Sequence, residues 1–315
     1  GCGYAAASGP GGGTTNNNGG GGAGHTGKGG ESSTGIAAGS GYGSSLAPTT
    51  FGSGGGDGNG VGRIAGTGGG MIRLNLGDTL TLNGTISTNG IDGISDVGGG
   101  AGGSIYIITE NLTGSGKILS DGGQGGDGTQ DGGGGSGGRV AVYYNSSTFT
   151  GVDGSSVKRG GAYTSAGVGA PGTMIFVDVD SEIATIRSGF RFQDGNGVTN
   201  ESVNTTFYNT DNPNSWTFGT LNINNTILYL DANVSLTYND ASIISSNWTC
   251  TVNENYGTEI SLYINATNFT LDSDSYINLS GCGYAAASGT GAGTDHTAGS
   301  GGGGHGGAGG AGTNG

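Results

Sequence analysis

The sequence has few charged residues, few basic residues and few prolines, and each shortage excludes a class of protein. Only 10% of its 315 residues are charged and 31% are hydrophobic, so neither charge-rich disorder nor the core of an ordinary enzyme is expected. Nine Lys and Arg against 23 acidic residues give a net charge of −14, which argues against nucleic acid or an anionic membrane as a partner. Four prolines without a Gly-X-Y period exclude collagen, and the short apolar runs predict no membrane span.

Glycine is abundant, with 79 residues, and the chain contains a long repeat. The nonapeptide GCGYAAASG occurs at residues 1–9 and again at residues 281–289, an offset of 280 residues. A letter-for-letter match of this length is not a chance event, so one full repeat and the start of the next are predicted. Because the chain begins at Gly1 and not at Met, we interpret it as a mature product or a part of something longer.

A shorter unit of alternating apolar residues recurs inside the long repeat, with clear copies starting at Arg73, Ile105 and Leu262. Alternation with a period of two, interrupted by polar corners, predicts short strands and not helices. The side chains predicted to point inward are Leu74, Leu76, Leu80, Leu82, Ile86, Ile105, Ile107, Leu112, Ile118, Leu228, Leu230, Val234, Leu236, Ile243, Leu262, Ile264, Phe269, Leu271 and Ile277.

This alternation predicts an all-β fold, a parallel β-helix (solenoid) with glycine-rich loops. A strand that buries one face and returns after about 20 residues lacks a complete core, but coils stacked ~4.8 Å apart provide one. At that coil length, the repeat would contain about 13 coils and be roughly 60 Å long. The alternative is a set of tandem β-sandwiches, whose strands also alternate.

Glycine content divides the chain into four zones. Residues 1–145 are predicted to be a glycine-rich β-helical zone, 146–172 a junction, 173–280 a glycosylated β zone rich in Asn, Thr and Ser, and 281–315 the start of the next repeat. The glycine tracts could be flexible linkers. We favour ordered, polyproline-II-like segments packed on the coils, because residues without a Cβ let backbone approach backbone closely.

Four glycine-rich strings recur along the chain: GGGAGGSIYI at 98–107, LTGSGKI at 112–118, GGGGSGGRVAVYY at 132–144 and GGGGHGGAGG at 301–310. These strings resemble the glycine-rich β-helical repeats of large secreted adhesin-like surface proteins. The resemblance implies a secreted structural or adhesive array with no common catalytic centre, and it transfers no active-site residue.

Each 280-residue repeat contains two cysteines, so the number of cysteines per repeat is even although the chain has three. Cys2 and Cys282 occupy the same position in successive repeats, and Cys250 is the other cysteine of the unit. We predict a Cys250–Cys282 disulfide, which would close a loop of about 30 residues and add on the order of 3 kcal/mol. Cys2 would then pair with the preceding repeat or subunit. Three small buried thiols are the alternative.

Eleven Asn-X-Ser/Thr triplets predict N-linked glycans, and eight of them lie after residue 199. Together with the predicted disulfide and the scarcity of Lys, this density predicts an extracellular or cell-surface location. The candidate sites are Asn83, Asn111, Asn145, Asn200, Asn204, Asn224, Asn233, Asn247, Asn265, Asn268 and Asn278.

One group of carboxylates is a candidate for chemistry. Asp178, Asp180 and Glu182 alternate, which predicts that they share one face of a strand. We favour a solvated outer face over the acid and base of a polysaccharide-cleaving enzyme. No catalytic residue is therefore predicted.

A second group, Asp121, Asp127 and Asp131, is similar to calcium-binding glycine-rich turns but lacks their regular period. No metal ligand or cofactor is assigned, and calcium is kept as an alternative. His25, His296 and His305 have no partner at ligand spacing, so they are predicted to be surface residues.

The function that these features favour is a secreted structural protein, not an enzyme. It would form or decorate an extracellular cell-surface fibre by end-to-end stacking of 280-residue β repeats, with copies of itself as its partner. If the units are separate chains, residues 281–315 could complete a neighbouring subunit by strand addition. The alternative is an adhesin or an ice- or carbohydrate-binding β-helical module, which would need a regular row of Thr on one face.

Overall fold

A computed structural model describes residues 1–58, 63–181, 183–187, 190–192, 215–224, 227–230, 234–250, 261–283, 290 and 292. Within these residues the chain is all-β, with no helix. Its strands stack in parallel into a solenoid, so the predicted β-helix is confirmed.

The described residues form fifteen strands, most of them at the alternating segments of the sequence. Their bounds are β1 Met71–Asn75, β2 Thr79–Thr81, β3 Thr85–Ser87, β4 Ser104–Thr113, β5 Lys117–Leu119, β6 Arg139–Ser147, β7 Thr173–Asp178, β8 Ile183–Arg187, β9 Phe190–Phe192, β10 Ser215–Asn224, β11 Ile227–Leu230, β12 Val234–Ile244, β13 Asn247–Cys250, β14 Leu262–Leu271 and β15 Tyr276–Asn278.

One nine-stranded sheet passes through the whole described molecule. Its order is β1-β4-β6-β7-β8-β10-β12-β14, with β2 also paired to β4. Every neighbouring pair is parallel except β7 and β8, which form an antiparallel hairpin. A four-stranded sheet, β15-β13-β11-β9, and a two-stranded sheet, β3-β5, provide the other walls. The hairpin divides the stack into a first solenoid, β1–β7, and a second solenoid, β8–β15.

The two solenoids have their cores on opposite faces of the shared sheet. In β7, Met174 and Phe176 pack into the core of the first solenoid, whereas Ile175 and Val177 pack with Ile186 of the second. The β7–β8 hairpin therefore reverses both the strand direction and the face that points inward. Because both reverse together, the coils keep advancing along one axis with the same handedness.

Coils of the first solenoid are longer than predicted. The paired positions Met71 and Ser104 are 33 residues apart, and Ser104 and Arg139 are 35 apart. For these coils the prediction of about 20 was wrong because it counted only the strands, whereas each of them also contains a glycine segment entering its long strand and, in the early coils, one leaving it. In the second solenoid, the paired positions Ser215 and Ser235 are 20 residues apart, as predicted, and Val234 and Leu262 are 28 apart. The sheet path has eight strands in the described residues, not 13, which makes the stack about 34 Å long at ~4.8 Å per strand.

These glycine segments are ordered and form a bundle of extended chains. In the segment 98–103, successive backbone N–H groups donate hydrogen bonds to three different neighbouring segments in turn. The same neighbour is reached again every third residue. A polyproline II helix has about three residues per turn and no internal hydrogen bonds, so every N–H is available to a neighbouring chain. Residues 98 and 101 donate to segment 53–56, residues 99 and 102 to segment 133–136, and residues 100 and 103 to segment 88–91.

The bundle has room only for backbone at its centre. Three further segments donate hydrogen bonds to the carbonyl groups of Gly98, Gly99 and Gly100, which gives the central segment six neighbours within the described residues. A Cβ on Gly98 would overlap the carbonyl oxygen of Gly21, and one on Gly99 would overlap that of Gly123. Glycine is required here because chains that hydrogen-bond on all sides approach too closely for a side chain.

Candidate functional site: the two ends of the stack

The first copy of the nonapeptide lies on the outside of the glycine bundle. Gly3 donates its N–H to the Gly68 carbonyl at 2.9 Å, Gly68 donates to Tyr4 at 2.9 Å, and Tyr4 donates to Gly52 at 3.0 Å. The segment thus occupies a groove between residues 52–55 and 66–69, which we call the docking groove. Tyr4 also meets the ring of Phe51 edge-on, with the ring centroids 6.0 Å apart.

The first end of the stack is the face formed by the coil β1–β3 and the glycine segments beside it. A pocket of about 480 Å³ opens there, and Cys2, Phe51, Met71, Ile72 and Ile91 are among its lining residues. Strand β1 is the edge of the large sheet, so one side of its backbone has no partner strand in the described residues. This end combines apolar side chains with free backbone groups, the two features that receive another strand.

The last end of the stack is the coil β14–β15. Phe269 pairs with Ala241 and Leu271 with Ile243, so the register points both side chains toward the core. Both are nevertheless 41% exposed. The described residues place no further coil on β14. The core-facing side chains of the last coil are therefore packed on one side only, against the preceding coil.

Exposed large apolar side chains concentrate at these two ends. Among the side chains that the structure describes, twelve are exposed, and only Tyr163 and Val168 lie elsewhere. Five are in the first coil or the segments beside it, and five are on the last two coils. Of these last five, the strand register points Phe269 and Leu271 toward the core, and Tyr263 and Tyr276 point outward from the stack. The ten are Tyr4, Phe51, Ile64, Ile91, Ile94, Ile244, Tyr263, Phe269, Leu271 and Tyr276.

A buried cation ties the glycine bundle to the sheet. Arg139, the first residue of β6, is fully buried. Its guanidinium donates to the Tyr42 carbonyl at 2.6 and 3.1 Å and to the His25 carbonyl at 3.2 Å. Sequence reasoning missed this anchor, since its partners are 97 and 114 residues distant and no local pattern marks them.

His25 is also fully buried, so its prediction as a surface residue was wrong. Its Nδ1–H donates to the Gly102 carbonyl at 2.7 Å, and the Thr50 hydroxyl donates to its Nε2 at 2.8 Å. Both bonds fit a neutral ring. Burial, and then the nearby charge of Arg139, lower the pKa of His25 to about 3. His296 and His305 lie outside the described residues.

Acid is expected to destabilise the fold through His25. The unfolded chain binds a proton near pH 6.5 and the folded chain only near pH 3, so this stabilisation is complete above pH 6.5 and is lost as the pH falls toward 3. Between pH 7 and pH 4, urea unfolding of the wild type should lose roughly 3 kcal/mol more than His25→Gln, which keeps an amide donor and acceptor. Equal losses in the two proteins would contradict this role.

The predicted glycosylation sites differ in exposure. Asn83, Asn145, Asn265, Asn268 and Asn278 are exposed. Asn111 and Asn247 are partly buried. Asn224 belongs to β10 and its side chain is not described, and Asn200, Asn204 and Asn233 lie outside the described residues. Glycan attachment at all eleven sites stays a prediction.

The cysteines lie at the ends of the stack. Cys2 is exposed and free within the chain. Cys282 is buried, only 7% exposed. Cys250 is the last residue of β13, and its side chain is outside the described part. The Cys250–Cys282 bridge and the bond from Cys2 to a preceding unit stay predictions.

The carboxylates at 178–182 do not share a strand face, so this prediction was wrong. Strand β7 ends at Asp178, whose Oδ1 accepts the N–H of Ser181 at 2.9 Å in the hairpin turn. Asp180 is in that turn, and Glu182 lies outside the described residues. The carboxylate of Asp178 therefore terminates the strand and shapes the reversal between the solenoids.

The carboxylates considered for calcium connect segments of the chain. Asp121 accepts hydrogen bonds from the Ser156 hydroxyl at 2.8 Å and from the Lys158 N–H at 2.6 Å in the next coil. Asp131 accepts the Gly128 N–H at 3.1 Å and the Thr164 hydroxyl, and Asp127 is exposed. In the described part of the chain, no three His, Cys, Asp or Glu side chains gather into a metal-binding group.

Comparison with known proteins gives no relative. No family model matches the chain, and neither a curated protein nor a solved structure is detectably similar to it. No helix in the described residues has the length and apolar character to span a membrane.

Proposed function

We propose that this protein is a secreted structural protein that builds or decorates an extracellular cell-surface fibre, by stacking its β repeats end to end. The observation that carries the proposal is the concentration of exposed apolar side chains at the two ends of the stack. The two ends differ, so a contact between them is head-to-tail. Such a contact does not close on itself and generates an open filament.

The two edge strands of the large sheet also support the proposal. β1 and β14 are the two outer strands of the large sheet, and each has unpaired N–H and C=O groups on one side in the described structure. Pairing β14 of one copy with β1 of the next would continue the sheet and cover Phe269 and Leu271. Burial of apolar area gives the free energy, and the backbone hydrogen bonds give the alignment.

The β7–β8 hairpin determines how successive copies would be oriented. The second solenoid runs opposite to the first and closes on the opposite face. Parallel pairing of β14 with the next β1, core face on core face, then relates neighbouring copies by a half-turn about the fibre axis. We expect a filament in which the glycine bundle projects alternately to either side.

The proposal is tested by replacing one apolar side chain at the last end. Leu271→Lys should abolish assembly, because it places an unpaired charge inside the new layer. Tyr163→Lys is the matched control, since Tyr163 is 39% exposed and lies away from both ends. Sedimentation velocity and negative-stain images should show threads for the wild type and the control but single particles for Leu271→Lys. Single particles in all three samples would refute the proposed fibre.

A further inference from the structure

The docking groove recognises backbone, and the chain contains a second segment that fits it. Besides the three bonds already given, Ala7 donates to Gly55 at 2.8 Å and Gly54 donates to Ser8 at 3.0 Å. All these bonds join main-chain atoms, so any segment that can adopt the same backbone makes them. Residues 281–289 have the identical sequence, including glycine at the positions of Gly1 and Gly3.

Glycine at the third position is a steric requirement of the groove. A Cβ on Gly3 would overlap the carbonyl oxygen of Gly69 and lie 2.7 Å from that of Gly52. The corresponding residue of the second copy, Gly283, has no described atom within 4 Å of where its Cβ would be. The described residues of its own chain therefore do not require glycine at position 283, although the sequence around it is that of the segment in the groove.

The position of the docked segment indicates where a preceding unit must lie. Gly1 and Cys2 line the pocket at the first end, beside Met71 of β1. In the second copy, the residues just before Gly281 are those of the last coil, ending with β15, Tyr276–Asn278. If residues 281–289 occupied the groove of another molecule, their own last coil would be brought against its first coil.

We infer that residues 281–289 of one copy dock in the groove of the next, in the place that residues 1–9 occupy in this structure. This inference rests on the proposed end-to-end fibre and names the segment that joins its units. The occupant is a second copy of this chain, and the joint combines the docked segment with the stacked end coils.

Exchange of the segment is feasible because residues 1–9 are held only at the surface. Most of the nonapeptide is exposed, including Tyr4 at 37%. The covalent link gives a chain's own segment a high effective concentration at its groove. A segment from another copy competes only if the contact between the end coils adds to its affinity. Exchange and stacking should therefore be cooperative.

The test uses full-length Gly283→Ala, which should fold normally but assemble poorly. Its melting temperature should equal that of the wild type, because the new methyl group meets no atom among the described residues of its own chain. The concentration for half-maximal assembly should rise at least tenfold, because the methyl group overlaps Gly69 of the next copy. Gly161→Ala is the control, since its Cβ would make only ordinary contacts with Gln124 at 3.8 Å.

A peptide experiment measures the groove directly. In the full-length double variant Gly3→Ala and Gly283→Ala, both copies of the segment are excluded from the groove, so a fluorescent GCGYAAASG peptide should bind with saturation. The peptide GCAYAAASG, with alanine at the third position, should not bind. Both measurements are made under reducing conditions, by fluorescence anisotropy.

The outcomes separate this inference from the fibre itself. Normal assembly of Gly283→Ala, or equal binding of the two peptides, would overturn the segment exchange. If Leu271→Lys still abolished assembly in that case, the fibre would stand and its joint would be the end coils alone. If the wild type did not assemble, the fibre would fail, while selective peptide binding would still support the groove's specificity.

Discussion

Gly98→Ala should lower the free energy of unfolding by more than about 3 kcal/mol, the largest single-methyl effect we expect in this protein. Its Cβ would overlap the Gly21 carbonyl oxygen and lie 2.9 Å from the backbone nitrogen of Gly56. Both obstacles are backbone atoms of other segments, so no side-chain rotation relieves the overlap. The melting temperature should fall by roughly 6–12 °C.

Gly77→Ala is the matched control for this prediction. A Cβ there has no described atom within 4 Å, so the substitution should be neutral or stabilise by roughly 0.4–1 kcal/mol through the unfolded state. Calorimetry on the two variants compares one methyl group at a packed and at an open glycine. If Gly98→Ala were as harmless as Gly77→Ala, the segments would be flexible linkers and not a packed bundle.

Arg139→Met should destabilise the fold by about 1–3 kcal/mol for each buried carbonyl group that it leaves without a donor. The guanidinium bonds the carbonyls of Tyr42 and His25, which belong to different loops of the N-terminal region. Methionine fills much of the volume but donates nothing. Urea unfolding at pH 7 measures the loss, and Arg73→Met on the exposed face of β1 is the control, expected to cost less than about 1 kcal/mol.

A second readout links Arg139 to the acid sensitivity. The charge of Arg139 is one cause of the lowered pKa of His25. In Arg139→Met that pKa should rise, so the stability lost between pH 7 and pH 4 should shrink. If the pH dependence of stability were unchanged and the loss of unfolding free energy at pH 7 were small, Arg139 would not connect the glycine bundle to the sheet.

The alternation of apolar residues was sufficient to predict the solenoid and much of its core. Ile105, Ile107, Leu112 and Ile118 are fully buried in the first core, as the period of two required. Phe269, by contrast, was predicted to point inward and does so by register, yet remains 41% exposed. The pattern specifies a face, but whether that face is covered depends on what stacks on it.

The functional surface was less accessible to sequence reasoning. The nonapeptide repeat predicted a joint between units, but it did not predict the groove in which residues 1–9 lie. His25 and Arg139 are bound to partners far along the chain, and their glycine-rich surroundings resemble ordinary surface loops. The reversal at β7–β8 was missed because Asp178 continues the alternation that it actually terminates.

Local properties of the chain alone determined the strands, the inward faces and the ordered glycine segments. Side-chain period and the absence of Cβ atoms act on a few neighbouring residues, so they can be seen in the sequence. The tertiary structure decided the length of each coil, the half-turn between the solenoids, the six-neighbour bundle and the two apolar ends. Those features depend on which distant backbone segments contact each other. Because glycine has no side chain, the sequence of a glycine segment does not indicate which segment it contacts.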